Sequence, residues 1–514
     1  MLDLIGFKGL IGYAVYFVII CIICVWQINK LADPEQSEGS SKTVAAVGMI
    51  IAFMALSIIP IDVFNVNNAD AVSWDVYDTR ATTIKAVYII VFVLMILYMF
   101  VLVPLVYFYY EEGEIHSSSD RMRAAIRYTV MFLVILLILI VAGIFFGPSL
   151  DNLDPDLDWA KKVLSDSLTL NALYFVVGIF AAIGVVIFVL FTGFGMAWIP
   201  IRMMALPCLS GESFFSQEKK SLNKLINSTS RNEPASTTGR FNAVSKKRSS
   251  YGYTSVRTVN DKQKALEEKI SKYDRNRKLL APFSVILGIL LFFSNLCIVI
   301  ALAFTALGTF GGADFAEYTN VNFVDKLIGV LIDYTPMDFI AFSVIILLLF
   351  FITMQAIIRL DIGCLVCSLF KLEKKKSDTQ ALLLFGVYMA FFLFAQSQVL
   401  YTLTPQYATF GSLTYINETT IDIVTGETHN VTLPCSWSAL NDTRPLDPSA
   451  PSLCVPSEMA KVHQSLILNP IFKQIFTYAN VGFIAIYVLA TFYSLVTAMA
   501  PKKVEEDELR RPYV

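Results

Sequence analysis

The chain has 514 residues, is 56% hydrophobic and only 16% charged, and carries a formal net charge of −2. So apolar a composition points to an integral membrane protein and gives no reason to expect a nucleic-acid partner. The near-zero sum says nothing more about partners, because in a membrane protein the placement of charge matters more than its total.

Nine apolar stretches follow one another along the chain, near 9–28, 43–64, 83–109, 126–147, 171–200, 281–306, 336–358, 381–402 and 478–500. Each reaches or exceeds the roughly 20 residues a helix needs to cross about 30 Å of hydrocarbon. A β-barrel would show alternating segments of about ten residues, and runs such as Val130–Ala142 (VMFLVILLILIVA) do not alternate. The expected fold class is therefore all-α, a polytopic integral membrane protein with nine transmembrane helices. The first stretch is retained as a span, since it lacks a basic n-region and ends at Gln27–Lys30 without a small-residue cleavage site.

Thirty-one of the 40 Lys and Arg fall in the loops of one face and in the C-terminal tail, against nine on the other. Positive residues stay cytosolic, so the N-terminus is expected in the lumen and the C-terminus in the cytosol. A second marker agrees. The loop before the last span holds the sequons Asn417-Glu-Thr, Asn430-Val-Thr and Asn441-Asp-Thr, usable only on the lumenal side. Cys435 and Cys454 lie in the same loop, where an oxidising compartment permits a disulfide. The expected organisation is spans one to five in 1–206, a cytosolic segment over 207–280, spans six to eight in 281–402, a glycosylated lumenal loop over 403–477, span nine in 478–500 and a cytosolic tail over 501–514.

Within the cytosolic segment, Ser210–Gly252 is rich in Ser, Thr, Asn and Lys and is expected to be mobile, having little apolar surface to offset its ordering entropy. From Val259 to Leu280 the pattern turns helical, with Glu267, Glu268 and Lys272 at pairing distance. Tyr253-Thr-Ser-Val256 fits the tyrosine-plus-apolar signal read by clathrin adaptors, a possible partner, although so short a pattern also arises by chance. Cys364-Leu-Val-Cys367 has zinc-ligand spacing but no second pair completes it; reduced thiols or palmitoylated ones are the expectation, and no metal site.

The chain has no Walker A pattern, no His-Glu-x-x-His and no G-x-S-x-G, and its three histidines, His116, His429 and His463, fall outside the expected spans. An enzyme is not expected, and no catalytic residue is assigned. Polar residues in or at the ends of spans are the functional candidates, because each costs free energy to bury. Asp62 and Asp338 follow Pro60 and Pro336 at lumenal span ends, while Asn295, Gln355, Gln396 and Gln398 are expected deeper. Interhelical hydrogen bonding explains these as well as a substrate path does.

Five segments go beyond hydrophobicity: Ser57–Phe64 (SIIPIDVF), Pro104–Glu112 (PLVYFYYEE), Pro336–Ile340 (PMDFI), Gln380–Tyr388 (QALLLFGVY) and Leu403–Ser412 (LTPQYATFGS). In order and in position at span ends they resemble the LMBR1-like membrane-protein family, a resemblance covering nearly the full chain apart from the Ser- and Asn-rich cytosolic segment. The resemblance implies a multi-pass protein of the lysosomal membrane that serves export of cobalamin to the cytosol. It also implies a partner, an ABC-type half-transporter that supplies ATP hydrolysis. Cobalamin is then a transported ligand whose contact residues are unknown, with no permanently bound cofactor. The lack of any histidine in an expected span favours an escort over a solitary pump. Other family members resemble cell-surface receptors, so the alternative is a plasma-membrane receptor or signalling scaffold, or a plasma-membrane pool of the protein, with ligand-binding lumenal loops.

Overall fold

The computed structural model of the chain describes residues 6–33, 39–69, 73–112, 118–146, 168–205, 207, 219–220, 245–310, 323–332, 337–364, 367–372, 375, 377–421, 428–435 and 454–497. Its helices, in order, are α1 (Gly6–Leu31), α2 (Gly39–Asn67), α3 (Trp74–Leu97), α4 (Val103–Glu111), α5 (Ser118–Phe146), α6 (Leu168–Ile187), α7 (Gly193–Ala205), α8 (Ser245–Phe310), α9 (Phe323–Ile332), α10 (Met337–Leu360), α11 (Thr379–Leu403), α12 (Pro405–Phe410), α13 (Glu458–Leu468) and α14 (Pro470–Thr497). Among the described residues eight helical stretches are long and apolar enough to cross a membrane, and Phe17–Leu31 of α1 is a shorter apolar stretch. The all-α class holds for everything in those spans. Two small antiparallel hairpins accompany them: β1 (Ile362–Cys364) with β2 (Cys367–Phe370), and β3 (Thr414–Ile421) with β4 (Thr428–Pro434).

The spans expected near 83–109 and 171–200 are each two helices joined by a widened π turn, Tyr98–Leu102 and Phe188–Thr192. The first turn lies directly ahead of Pro104, whose ring has no N–H to donate and crowds the carbonyl four residues earlier. A π turn re-spaces the ladder there without ending the helix.

The chain divides into two compact units, Met1–Gly195 with Cys297–Ile486, and Met196–Leu296 with Tyr487–Val514. In the first, α11 is central: 78% of its most apolar window is buried, against 11% for α5. It packs on α2 and α6. Phenylalanines fill the space between: Phe188 stacks on Phe483 at 4.7 Å, Phe53 meets Phe350 at 3.9 Å, and Phe350 lies 6.2 Å from Phe392. The last carbonyls of α1 would be orphaned at a free helix end; here Lys30 and Leu31 accept from the backbone N–H groups of Lys375 and Ser377, at 3.1 and 3.2 Å. In the second unit, Asn295 donates to the Met196 carbonyl at 2.8 Å and Ser284 to that of Met203 at 3.0 Å, fastening the described part of α8 to α7.

Two boundaries and the contents of one loop differ from expectation. Helix α8 begins at Ser245 rather than near Val259, so Tyr253–Val256 lies on helical backbone; most of 207–244 lies outside the described residues. The last span begins at Pro470 rather than 478, because Lys473, Gln474 and Thr477 lower the hydropathy of its first turns without obstructing a helix. The expected lumenal loop holds α12, the β3–β4 hairpin and α13.

Candidate functional site

The sequence-selected carboxylates sit in one hydrogen-bonded cluster at a single end of the first unit. Asp62, near the end of α2, is 1% exposed. Its two oxygens accept the backbone N–H groups of Glu458 and Met459, at 3.2 and 2.9 Å. These are orphan donors of the first turn of α13, so Asp62 caps that helix from a distant segment. The helix also has its local cap: Ser457 accepts from the Ala460 N–H at 3.2 Å while donating to the Ala408 carbonyl at 2.9 Å. Two caps on one short helix, with a carboxylate at the positive end of its dipole, hold α13 against the bundle. Lys461 pairs with Glu458 at 2.5 Å beside it.

Asp338, at the start of α10, accepts from the Tyr407 hydroxyl at 2.9 Å and from the Asn67 amide at 3.3 Å. Asn67 in turn accepts from the Ser412 N–H at 2.8 Å. That approach needs Gly411, whose φ of +59° suits glycine and whose absent Cβ leaves room for the Asn67 oxygen. Asp325, on α9, accepts the N–H groups of Gln406 and Tyr407 at 2.8 and 3.0 Å and so caps α12 as Asp62 caps α13. Burial pushes the Asp325 carboxyl up to about 6, with the two N–H bonds pulling the other way. The Tyr407 hydroxyl is raised by burial and then by the charge of Asp338.

Gln398 extends the cluster into the bundle. It donates to Ser397 at 3.3 Å and presents its carbonyl to His463 Nδ1 at 2.5 Å, and the imidazole stacks on Tyr401 at 5.1 Å. Burial lowers His463 to about 3 and keeps the ring neutral. Next to it lies a half-open cavity of about 200 Å³, lined from α6 to α14.

The other polar candidates do not join. Gln396 is buried and donates to the Ile346 carbonyl at 2.6 Å, an α11–α10 tie. Asn295 belongs to the second unit. Gln355, expected deeper, is exposed on the outer side of α10 and meets none of these groups. Asn417 lies on β3 and Asn430 on β4, paired opposite Thr419; Asn441 lies outside the described residues. Cys435 and Cys454 are joined, their Cα atoms 5.5 Å apart, and pack with Val66, Phe410 and Leu413. Among the described residues no three His, Cys, Asp or Glu side chains gather as a metal would require. Asp325, Tyr407, Ser457 and His463 were not assigned as site residues; the local signals were Leu403–Ser412, which holds Tyr407, and the N-cap position of Ser457 ahead of α13.

The five family-like segments now have places. Ser57–Phe64 supplies Asp62, Pro336–Ile340 supplies Asp338, and Leu403–Ser412 supplies the capped helix between them. The other two meet elsewhere, where Gln380 donates to Glu111. Residues 9–282, more than half of the chain, match the family model described as "LMBR1-like membrane protein". The chain belongs to the LMBR1-like membrane-protein family. It is 27% identical over 509 residues to a "Probable lysosomal cobalamin transporter" of Emericella nidulans, covering 91% of this chain and 87% of that one. A protein of the same description from Nematostella vectensis is 25% identical, covering 83% of each. The "Lysosomal cobalamin transport escort protein LMBD1" of Mus musculus is 24% identical, covering 77% of this LMBR1-like chain and 78% of the mouse one. No solved structure matches the chain.

Proposed function

We infer that this family member serves export of cobalamin from the lysosome to the cytosol, as an escort of an ABC-type half-transporter in the lysosomal membrane. The observation that carries the reading is similarity over more than four-fifths of both chains to relatives named for lysosomal cobalamin transport. The geometry favours the escort role. Pockets for drug-sized ligands measure about 300–1,000 Å³, and a corrin with its side chains is larger still, so the cavity of about 200 Å³ beside His463 does not enclose one. The buried carboxylates are occupied in fastening α12 and α13. The partner supplies the energy, and this chain supplies a rigid membrane surface and no catalytic step.

In this reading the chain crosses the membrane nine times with its N-terminus in the lumen. The capped cluster, the disulfide and the β3–β4 hairpin then face the lumen, with glycans on Asn417, Asn430 and Asn441. Tyr253–Val256 faces the cytosol, where unwinding of one helical turn would present it to a clathrin adaptor and account for a plasma-membrane pool. The test is labelled cobalamin in cells lacking the chain. Retention in lysosomes, relieved by re-expression, is the expected result. Normal release to the cytosol would refute the reading.

A further inference from the structure

The cavity beside His463 has a composition that the escort role does not use. Near the helix ends it is lined by Gln398 and Thr402 of α11, Thr305 of α8, His463 and Ile467 of α13, and Lys473 from the first turn of α14. Farther along the spans it is lined by Val185 and Phe188 from the middle of their span, with Phe476 and Asn480 one and two turns beyond Lys473. At 1.5 Å per residue, Lys473 and Asn480 stand about 10 Å apart along the helix. The cavity is therefore polar at the level of the membrane interface and mostly apolar toward the hydrocarbon.

Charge and hydrogen-bonding capacity narrow the occupant. Among the described residues no carboxylate lines the cavity, and the exposed Lys473 has no ion-pair partner. Its ammonium favours an anion. Gln398 uses its Nε2 on Ser397, so the oxygen faces His463, and Nδ1 must carry the ring proton to meet it. Neutral imidazole then has Nε2 as an acceptor, without a protein partner among the described residues. The matching ligand carries an anionic group for Lys473, a hydroxyl donor for His463 Nε2, and an apolar tail for Phe188 and Val185. The volume of about 200 Å³ suits a headgroup with the start of a chain, not a whole lipid.

The geometry points to a binding site for an anionic phospholipid of the phosphatidylglycerol class, held by its phosphate on Lys473 and by a headgroup hydroxyl on His463, between α6, α11, α13 and α14. The lipid would brace α13 from the membrane side as Asp62 caps it from the other. The site is independent of the cobalamin reading.

The experiment is native mass spectrometry of the full-length protein in neutral detergent, delipidated and then offered phosphatidylglycerol, phosphatidic acid or phosphatidylcholine. Retention of phosphatidylglycerol above the other two is expected. Lys473→Met, at an exposed position, should weaken it at least tenfold, the loss of one charge-assisted hydrogen bond. His463→Phe keeps the stack on Tyr401 and should erase the preference for phosphatidylglycerol over phosphatidic acid while leaving that for anionic over zwitterionic lipid. Equal retention of the three lipids, or an unchanged Lys473→Met protein, would overturn the site. Soluble glycerol 3-phosphate competing as well as the lipid would overturn the lipid assignment in favour of a free phosphate ester.

Discussion

Asp325 makes the stability of the capped end depend on pH in a way that one substitution isolates. Its carboxyl is raised from the ordinary 3.8 to about 6 because it is buried under α12. A raised acid favours its protonated form in the folded protein. The stabilisation this brings is full below about 3.8 and is lost as pH rises through about 6, where folding must bury an ionised carboxylate. At 1.36 kcal/mol per pH unit, that separation corresponds to at most ~3 kcal/mol. Asp325→Asn removes the titration and keeps one acceptor for the Gln406 and Tyr407 N–H groups, so it should cost about 1 kcal/mol at acidic pH. The measurement is the thermal or denaturant stability of both proteins in neutral detergent from pH 4 to 7.5. Wild type should be the more stable at pH 4 and should lose up to ~3 kcal/mol relative to the variant by pH 7.5. Parallel curves would refute the reasoning, because every other titrating group is common to the two proteins.

Asp62→Ala strands two buried N–H groups at the start of α13, at ~1–3 kcal/mol each; limited trypsinolysis should cut after Lys461 in the variant and spare the wild type. Cys454→Ser opens a disulfide spanning 19 residues, and a loss of ~3 kcal/mol is expected, with reductant lowering wild-type stability to the level of the variant and leaving the variant unchanged. Gly386→Ala drives a methyl into the Tyr98 hydroxyl at ~1–3 kcal/mol. Tyr98→Phe, which removes a hydroxyl without a hydrogen-bond partner among the described residues, should restore most of that in the double variant, and purely additive losses would refute the contact. Replacing Asn417, Asn430 and Asn441 singly by Gln should each lower the glycosidase-sensitive mass by one glycan, and unchanged mass at all three would place the hairpin outside the lumen.

The spans were legible because each is apolar on every side, and the same property hid what each side does. Nothing in the sequence around Gln355 distinguishes it from Gln396, yet one is exposed and the other is buried on Ile346. Hydropathy sums over a window and discards direction, so depth along a span could be read and orientation about its axis could not. The caps failed for a different reason. A local cap such as Ser457 announces itself by its position before a helix, but Asp62 caps a helix 396 residues away and Asp325 one 81 residues away. His463 escaped as a residue outside any expected span, although α13 packs it against the Gln398 amide of α11. What the sequence did carry was the family resemblance, and its segments turned out to be the fastening points themselves.

That placement bears on escort against conduit. A pathway for a large polar cargo needs buried polar groups without structural partners near the middle of the membrane. The buried carboxylates here lie at one end and each holds two donors. Nearer mid-span, Thr192 and Thr353 satisfy one another at 2.6 Å and the Gln396 amide nitrogen is tied to a backbone carbonyl, so that among the described residues only scattered atoms such as Gln396 Oε1 and the Tyr98 hydroxyl are left without a partner. Three family-like segments build the capped end, and the other two meet where Gln380 reaches Glu111. The carboxylates that are expensive to bury are thus invested in fixing the shape of one end, while the other is tied by the exposed Gln380–Glu111 bond. Under the escort role inferred above, a chain so built presents itself to a partner, and the transport step belongs to that partner.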